Sequence, residues 1–390
     1  MKKSLLCMLI LPALLLLNGF GGQEIESSLF VLSLAVDPAP DGNLTVTVKA
    51  LSGTKEADAA AVSPAGDEQM RAASALETPE SGYIVLSATA KSCLRALSLL
   101  SATTPRTVNL SQLREVVLSR TLAESGAAYD ILSEIHAMYR ANGDAVVVVT
   151  PDDAGDFIRR QKAILGVRLS QYLEVLFDHF RELDTIPPHA QLARVVRMME
   201  SGREDALAVY AAGNDFNSTL ALPGTADTDR LPGHLPRTAP AENEYLGSAM
   251  FSGARMTGVL TGEETGLLCL MMGEAKRRVT FIGDAQYKTN LPTRVSRFID
   301  KGTGALTIHI RMNLVHIAGE GDTPESDIAA QIEAGCANVL RKLQAAGCDA
   351  AGFGHIAARR AIDLHAFESM DWQTQYETAP VAVSAGVKVL

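Results

Sequence analysis

The chain has 390 residues, 47% hydrophobic and 21% charged, enough to fold throughout and too many for one ordinary domain of ~100–200 residues. Aromatic residues make up 5%, with a single Trp, so the cores must be aliphatic. Forty-five acidic against 35 basic residues give a net charge of −10, and the one basic triplet, Lys276-Arg277-Arg278, is too short to lift that average; the composition argues against a nucleic-acid binder, a coiled coil and a polytopic membrane protein.

At the N-terminus, Lys2 and Lys3 precede an apolar run from Leu5 to Leu17, followed by Asn18, Gly19, Phe20, Gly21 and Gly22. A basic start, a short apolar stretch and small residues after it read as a secretory signal or anchor over residues 1–22. The run is shorter than the ~20 residues that span a bilayer, so an exported, extracytoplasmic body is expected after it.

Leu29 to Val36 reads as a strand, Asp37 to Gly42 as a turn and Leu44 to Lys49 as the returning strand of a hairpin. Residues 52–81 lack periodicity and read as a long loop. Tyr83 to Leu86 is a short strand, and Thr89 is placed to cap a helix carrying Leu94, Leu97 and Leu100 on one side. Val116–Leu118 is β-like, a helix carries Ile131, Ile135 and Met138, and Val146–Val149 reads as a buried strand. Thr150-Pro151-Asp152-Asp153 predicts the opening of another helix, with acids in its first turn. Ser170 to Glu182 is helical with a core stripe of Leu173, Leu176, Phe177 and Phe180; after Pro187-Pro188 another helix is expected from His189 to Met199.

Asp205 to Ala211 reads as a strand, and the irregular 213–244 stretch as a domain boundary. Tyr245–Phe251 and Met256–Leu260 pair around a turn, and Thr261-Gly262-Glu263-Glu264 is a capping box opening a helix. Arg278–Ile282 is a strand, as is Ala305 to about Ile317, where Ile308, Ile310, Met312 and Leu314 share a face and Val315 and Ile317 break the phase as a bulge would. Glu325 to Gln344 is a long helix and Pro380 to Leu390 a final strand. The expected fold is α+β and multidomain, with mixed sheets and packed helices. An N-terminal α/β domain spans 23–190, a helix–strand connection with an irregular linker 191–244, and a C-terminal α/β domain 245–390.

Chemistry-bearing motifs are few. Cys93, Cys269, Cys336 and Cys348 remain outside the signal, which itself holds Cys7, and four thiols allow three pairings. None has C-x-x-C spacing, and Cys336 and Cys348 stand roughly 18 Å apart along a helical rise, so buried free thiols are expected. Ser52-Gly53-Thr54-Lys55 matches S-x-x-K but has no partner motif. Gly352-Phe353-Gly354 is no dinucleotide fingerprint. His309 and His316 have no third ligand in motif spacing, and His189 reads as a helix-start residue. Asp152-Asp153 and Glu263-Glu264 fit first helical turns, and Asp227-Thr228-Asp229 is solvated. No catalytic, cofactor-binding or metal-binding set emerges.

Several blocks in register carry a resemblance. They are Glu24-Ile25-Glu26, then Leu29 to Asp37 and Gly42 to Val48; Ala96 to Leu99 with Pro105-Arg106 and Leu113 to Leu118; Gly247-Ser248-Ala249-Met250-Phe251, Gly258-Val259-Leu260 and Glu263-Glu264-Thr265-Gly266; Cys348-Asp349, Gly352-Phe353-Gly354 and Arg359-Arg360. On these the chain resembles the Ger(x)C family, the C subunits of the nutrient germinant receptors of spore-forming bacteria. The residues that carry the motif are Asp37, Gly247, Phe251, Gly258, Glu263, Glu264, Thr265, Gly352, Phe353 and Gly354. In one respect the chain departs from the family pattern: Phe20 occupies the position of the lipobox cysteine, so no lipid can be attached there.

The resemblance implies a non-catalytic accessory subunit, needed for nutrient-triggered germination and needing no cofactor. Its partners would be a membrane-embedded transporter-like subunit and another receptor subunit. It would lie on the outer face of the spore inner membrane or cell membrane, anchored by its N-terminal segment or by those partners. The alternatives are an exported hydrolase, whose catalytic group is assembled only on folding, and a solitary extracytoplasmic small-molecule binding protein.

Overall fold

The computed structural model describes residues 27–51, 82–138, 140–163, 167–214, 231–233, 235, 243–282, 285–319, 323–361, 365, 367 and 369–390. The N-terminal segment with Cys7 and Phe20, the 52–81 stretch with Ser52 and Lys55, and Asp227-Thr228-Asp229 lie outside the described residues. The fold is α+β with mixed sheets and packed helices, as expected.

The first sheet grows outward from β1 (Ser28–Ala39). On one side β1 pairs antiparallel with β2 (Asn43–Leu51), which pairs with β3 (Tyr83–Ala90). On the other side it runs parallel to the short β4 (Thr107–Asn109) and to β5 (Glu115–Ser119), followed by β6 (Val146–Thr150) and β7 (Leu207–Gly213). β5 and β6 are buried along their whole lengths, the condition in which a parallel strand reads as an unbroken apolar run. β8 (Asn243–Ser252) and β9 (Arg255–Leu260) close the far edge antiparallel, giving the order β3-β2-β1-β5-β6-β7-β8-β9. Hydrogen bonding therefore carries the first sheet across the irregular 213–244 stretch, from Leu207↔Met250 to Gly213↔Asn243. Strands expected to open the C-terminal domain complete this sheet, because β7 is buried and needs a neighbour on each edge.

Six helices flank the sheet: α1 (Cys93–Thr103), α2 (Arg120–Ser125), α3 (Ala128–Ala137), α4 (Ala154–Arg160), α5 (Leu169–Glu182) and α6 (Leu192–Ser201). α1, α2, α3 and α6 bury Leu97, Leu122, Ile131 and Val195 against one face. α4 and α5 bury Phe157, Leu173 and Phe177 against the other, making three layers. Beneath α4 the sheet holds a closed polar network. Gln161 Nε2 donates to Glu115 Oε1 at 2.6 Å and to the Tyr245 hydroxyl at 2.8 Å, Ser33 Oγ donates to Gln161 Oε1, and Lys49 Nζ donates to the Ile158 and Gln161 carbonyls. Burial pushes the Glu115 carboxyl above its usual range.

Three helix starts differ from expectation, each because a strand or bridge claims the residues. Thr89 stays in β3, bonded to Thr45 across the ladder, so Ser92 caps α1 and Leu94 faces outward at 55% exposure. Thr150 ends β6, so Pro151 and Asp152 precede α4 and the Asp153 side chain caps it through Asp156 N at 2.8 Å. Ala190 and Gln191 bridge to the start of β6, so α6 begins at Leu192 and His189 precedes it.

A second body follows: α7 (Gly262–Met272), β10 (Val279–Ile282), β11 (Ala285–Ile299), β12 (Leu306–Ala318), α8 (Glu325–Ala345), α9 (Phe353–Arg360), α10 (Trp372–Thr378) and β13 (Val381–Val389). Its sheet runs β10-β11-β12-β13, antiparallel until β13, which returns parallel to β12 through the α8 crossover. Ile308, Ile310, Met312 and Leu314 bury their expected face against α7 and α8, and Ile317 is the extra residue of the expected bulge, between the Tyr287↔His316 and Gln286↔Ala318 pairs. The outer edge of β13 is occupied from within: the Ala385 and Val389 N–H groups donate to Glu333 and Glu325 of α8 at 2.8 and 2.9 Å.

All four described cysteines are free and buried. Burial pushes the Cys93 and Cys336 thiols up to about 12, and those of Cys269 and Cys348 further. The expected result is that these thiols resist a thiol reagent at pH 8 until denaturant is added. Reaction of any of them in the native protein on the time scale of a free thiol would contradict this burial.

Candidate functional site

The motif residues of the C-terminal half fasten α7 to the β8–β9 hairpin. Gly247 has φ +86°, its N–H donates to Thr185 O at 2.8 Å, and a Cβ there would stand 2.2 Å from the Leu260 carbonyl oxygen. A Cβ on Gly258 would meet Met250 Cε at 2.6 Å, and Phe251 is fully buried in the first core. Thr265 Oγ1 bonds Ser248 Oγ at 2.9 Å. The capping box is formed as expected, Thr261 accepting from Glu264 N while the Glu264 carboxylate accepts from Thr261 N. Glu264 also pairs with Lys342 at 2.6 Å, and Glu263 pairs with the buried Arg278, whose guanidinium passes through the space a side chain at Gly266 would fill.

Two aspartates perform the same task at opposite ends of the chain. Asp37, at the end of β1, accepts from the N–H groups of Ala154 and Gly155 at 2.8 and 2.9 Å, tying α4 to the sheet. Asp349 accepts from Phe353 N at 2.9 Å, from Gly354 N and from Trp372 Nε1 at 3.1 Å, and so sets the start of α9. Asp205, just before β7, accepts from Asp349 N and Gly253 N and links this grip to the first sheet. Burial pushes Asp349 up to about 7, against the lowering effect of its backbone donors.

Beside Asp349 lies a cavity of about 280 Å³ where the two bodies meet. The first body supplies His189, Arg194 and Glu204; the second supplies Glu274, Arg297 and Arg359, with Met272, Ala350, Ala351 and Ile356 as apolar wall. His189 Nε2 stands 3.5 Å from Glu274 Oε1, and His355 Nε2 3.4 Å from Glu204 Oε1. Burial is the main cause lowering His189 below the usual imidazole range, with Arg194 acting in the same direction. Arg297 donates to the Ala351 carbonyl, and burial lowers its guanidinium from the usual value. Gly352, at φ +73°, stands where a Cβ would come within 3.7–3.9 Å of Arg297, Glu204 and His355. Charge and hydrogen bonding are what this lining offers; among its described residues there is no serine, threonine or cysteine to act as a nucleophile.

A second candidate surface is the face of the β10–β13 sheet turned away from the helices. The four strands contain Lys288, Arg294, Arg297, Arg311 and Lys388 and no Asp or Glu. Lys288, Arg294, Arg311 and Lys388 lie exposed, together with Leu291, Val315 and Ile317. Register brings Arg294 opposite Arg311, and Asn313 between Asn290 and Lys388. His309 bonds Ser384 and packs on Phe298, and His316 packs on Tyr287. Among the described residues no cluster of three His, Cys, Asp or Glu could hold a metal ion, and no helix is long and apolar enough to cross a membrane.

Residues 21–212 match the family model described as spore germination protein N-terminal domain, and residues 246–390 match the one described as spore germination B3/GerAC like, C-terminal. The chain belongs to the Ger(x)C family of germinant-receptor C subunits. No curated protein matches it. Among solved structures it is similar to the one titled "Crystal Structure of the GerBC protein", at 14% identity and a TM-score of 0.49, over 92% of this chain and 96% of that one.

Of the motif residues of this Ger(x)C chain, Gly352 lines the cavity, and Phe353 and Gly354 set the start of the helix that forms one wall. Asp37, Gly247, Gly258 and Thr265 act in the framework. Sequence reasoning missed Asp205, Asp349 as a grip, Arg278, and the cavity residues Arg194, Glu204, Glu274 and Arg297. The one available signal was Cys348-Asp349 standing three residues before Gly352.

Proposed function

We propose that this chain is a non-catalytic accessory subunit of a spore germinant receptor, needed for nutrient-triggered germination. It sits on the outer face of the membrane beside a transporter-like and another membrane-embedded subunit. The observation that carries this reading is the match of both family models, in chain order, over most of the sequence. The open face of the second sheet supports a membrane-surface position. Its four exposed cations and three exposed apolar side chains, with no acid in the strands, complement an anionic phospholipid surface in a protein whose net charge is −10. Each Lys or Arg near such a surface contributes ~1 kcal/mol, screened by salt. With Phe20 at the lipobox position, the N-terminal segment or partner subunits would supply the rest of the attachment.

Spores lacking the chain, in a strain stripped of its other receptors, should lose their nutrient response and keep a nutrient-independent one; normal germination to both would overturn the reading. Changing Lys288, Arg294, Arg311 and Lys388 together to Glu should abolish the preference of the full chain for phosphatidylglycerol over phosphatidylcholine vesicles and impair complementation. If the folded quadruple variant complements fully, the open face is not the docking surface.

A further inference from the structure

The cavity between the two bodies has a composition that packing alone does not require. Three arginines, the half-buried Arg194 and Arg297 and the exposed Arg359, line a space of about 280 Å³, below the ~300–1,000 Å³ of sites that take drug-sized ligands. The two carboxylates there, Glu204 and Glu274, stand beside His355 and His189. Leaving the two imidazoles out of the count, three positive groups outnumber two negative ones, in a chain that carries ten negative charges in excess. Planar guanidinium groups match the paired oxygens of carboxylate and phosphate.

We propose that this junction cavity binds a small organic molecule through a carboxylate or phosphate group held by Arg194, Arg297 and Arg359. Met272 and Ile356 provide the apolar wall for its carbon skeleton. Because Arg194 comes from α6 while Arg297 and Arg359 come from β11 and α9, an occupant joins the two bodies and makes their relative position depend on ligand. The site requires no membrane or partner subunit, so it stands or falls independently of the receptor assignment.

Isothermal titration of the purified full chain in low-chloride buffer, with succinate and with inorganic phosphate as separate probes, tests this directly. At least one probe should bind at one per chain, and Arg194→Gln and Arg359→Gln should each weaken it at least tenfold, while Arg95→Gln on the exposed side of α1 leaves it unchanged. Binding of succinate alone assigns the site to carboxylates, and of phosphate alone to phosphorylated molecules. No heat with either probe at 10 mM, or binding that all three variants weaken equally, would overturn the proposal. Arg194→Lys keeps the charge but loses the planar fork, and should fall between wild type and Arg194→Gln.

Discussion

Replacing Gly354 by valine is expected to destabilise the protein by more than about 3 kcal/mol. A Cβ at this position would stand 2.3 Å from the Arg203 carbonyl oxygen and 2.9 Å from Trp372 Nε1. Arg203 contributes backbone, which cannot swing aside as a long side chain can, so either α9 or the segment before β7 must move. Either movement pulls the Gly354 N–H from Asp349 and loosens the link to Asp205. Gly304 provides the contrast: at φ +70° a Cβ there meets nothing within 4 Å, so Gly304→Ala should cost only backbone strain, roughly 1 kcal/mol. Urea unfolding midpoints of the two variants measure the difference, and equal losses would contradict the close contact at Gly354.

The second large effect is on pH. Burial pushes Asp349 up to about 7 and Asp184 up to about 6, above the ordinary 3.8 of an unfolded chain. A carboxyl that holds its proton more tightly when folded contributes stability that is complete below about pH 4. That contribution fades as the pH rises through 6 and 7, because ionisation then favours the unfolded chain. At about 1.4 kcal/mol for each tenfold change in proton affinity, the span from 3.8 to about 7 at Asp349 amounts to roughly 4 kcal/mol. Buried Asp37, Asp205 and Glu115 are displaced in the same direction. Asn at 349 cannot titrate, so the stability advantage of wild type over Asp349→Asn should shrink steadily from pH 4.5 to 7.5 in urea unfolding. A difference independent of pH would show that Asp349 is already ionised at the acid end.

What the sequence revealed, and what it hid, follows from how local each signal is. The β1–β2 hairpin, the Thr261–Glu264 capping box and the alternation of β12 rest on residues within a few positions of each other, and each is found where its pattern stands. β11 went unseen although it has 15 residues, because its exposed face is polar, Pro292 interrupts it and the 291–293 irregularity shifts its phase. The grip of Asp37 is invisible for a different reason: it reaches a helix 117 positions away, which no periodicity reports, whereas Asp349 reaches N–H groups only four and five positions on. The cavity gathers side chains from five separate stretches of chain, so its charge appears only after folding. The resemblance did identify Gly352, Phe353 and Gly354, yet the reason for those glycines is geometric. One has a left-handed backbone, and the other stands against a carbonyl oxygen.

The two glutamates of α8 on the rim of β13 decide how this subunit can be approached. A sheet edge with free N–H groups invites another strand, and one added strand offers an edge to the next. Here a newcomer would first have to evict Glu333 and Glu325, leaving their charges without the donors they now hold. At β13, contact through the face of the sheet disturbs neither glutamate. Such contacts do not offer the next copy a fresh strand edge.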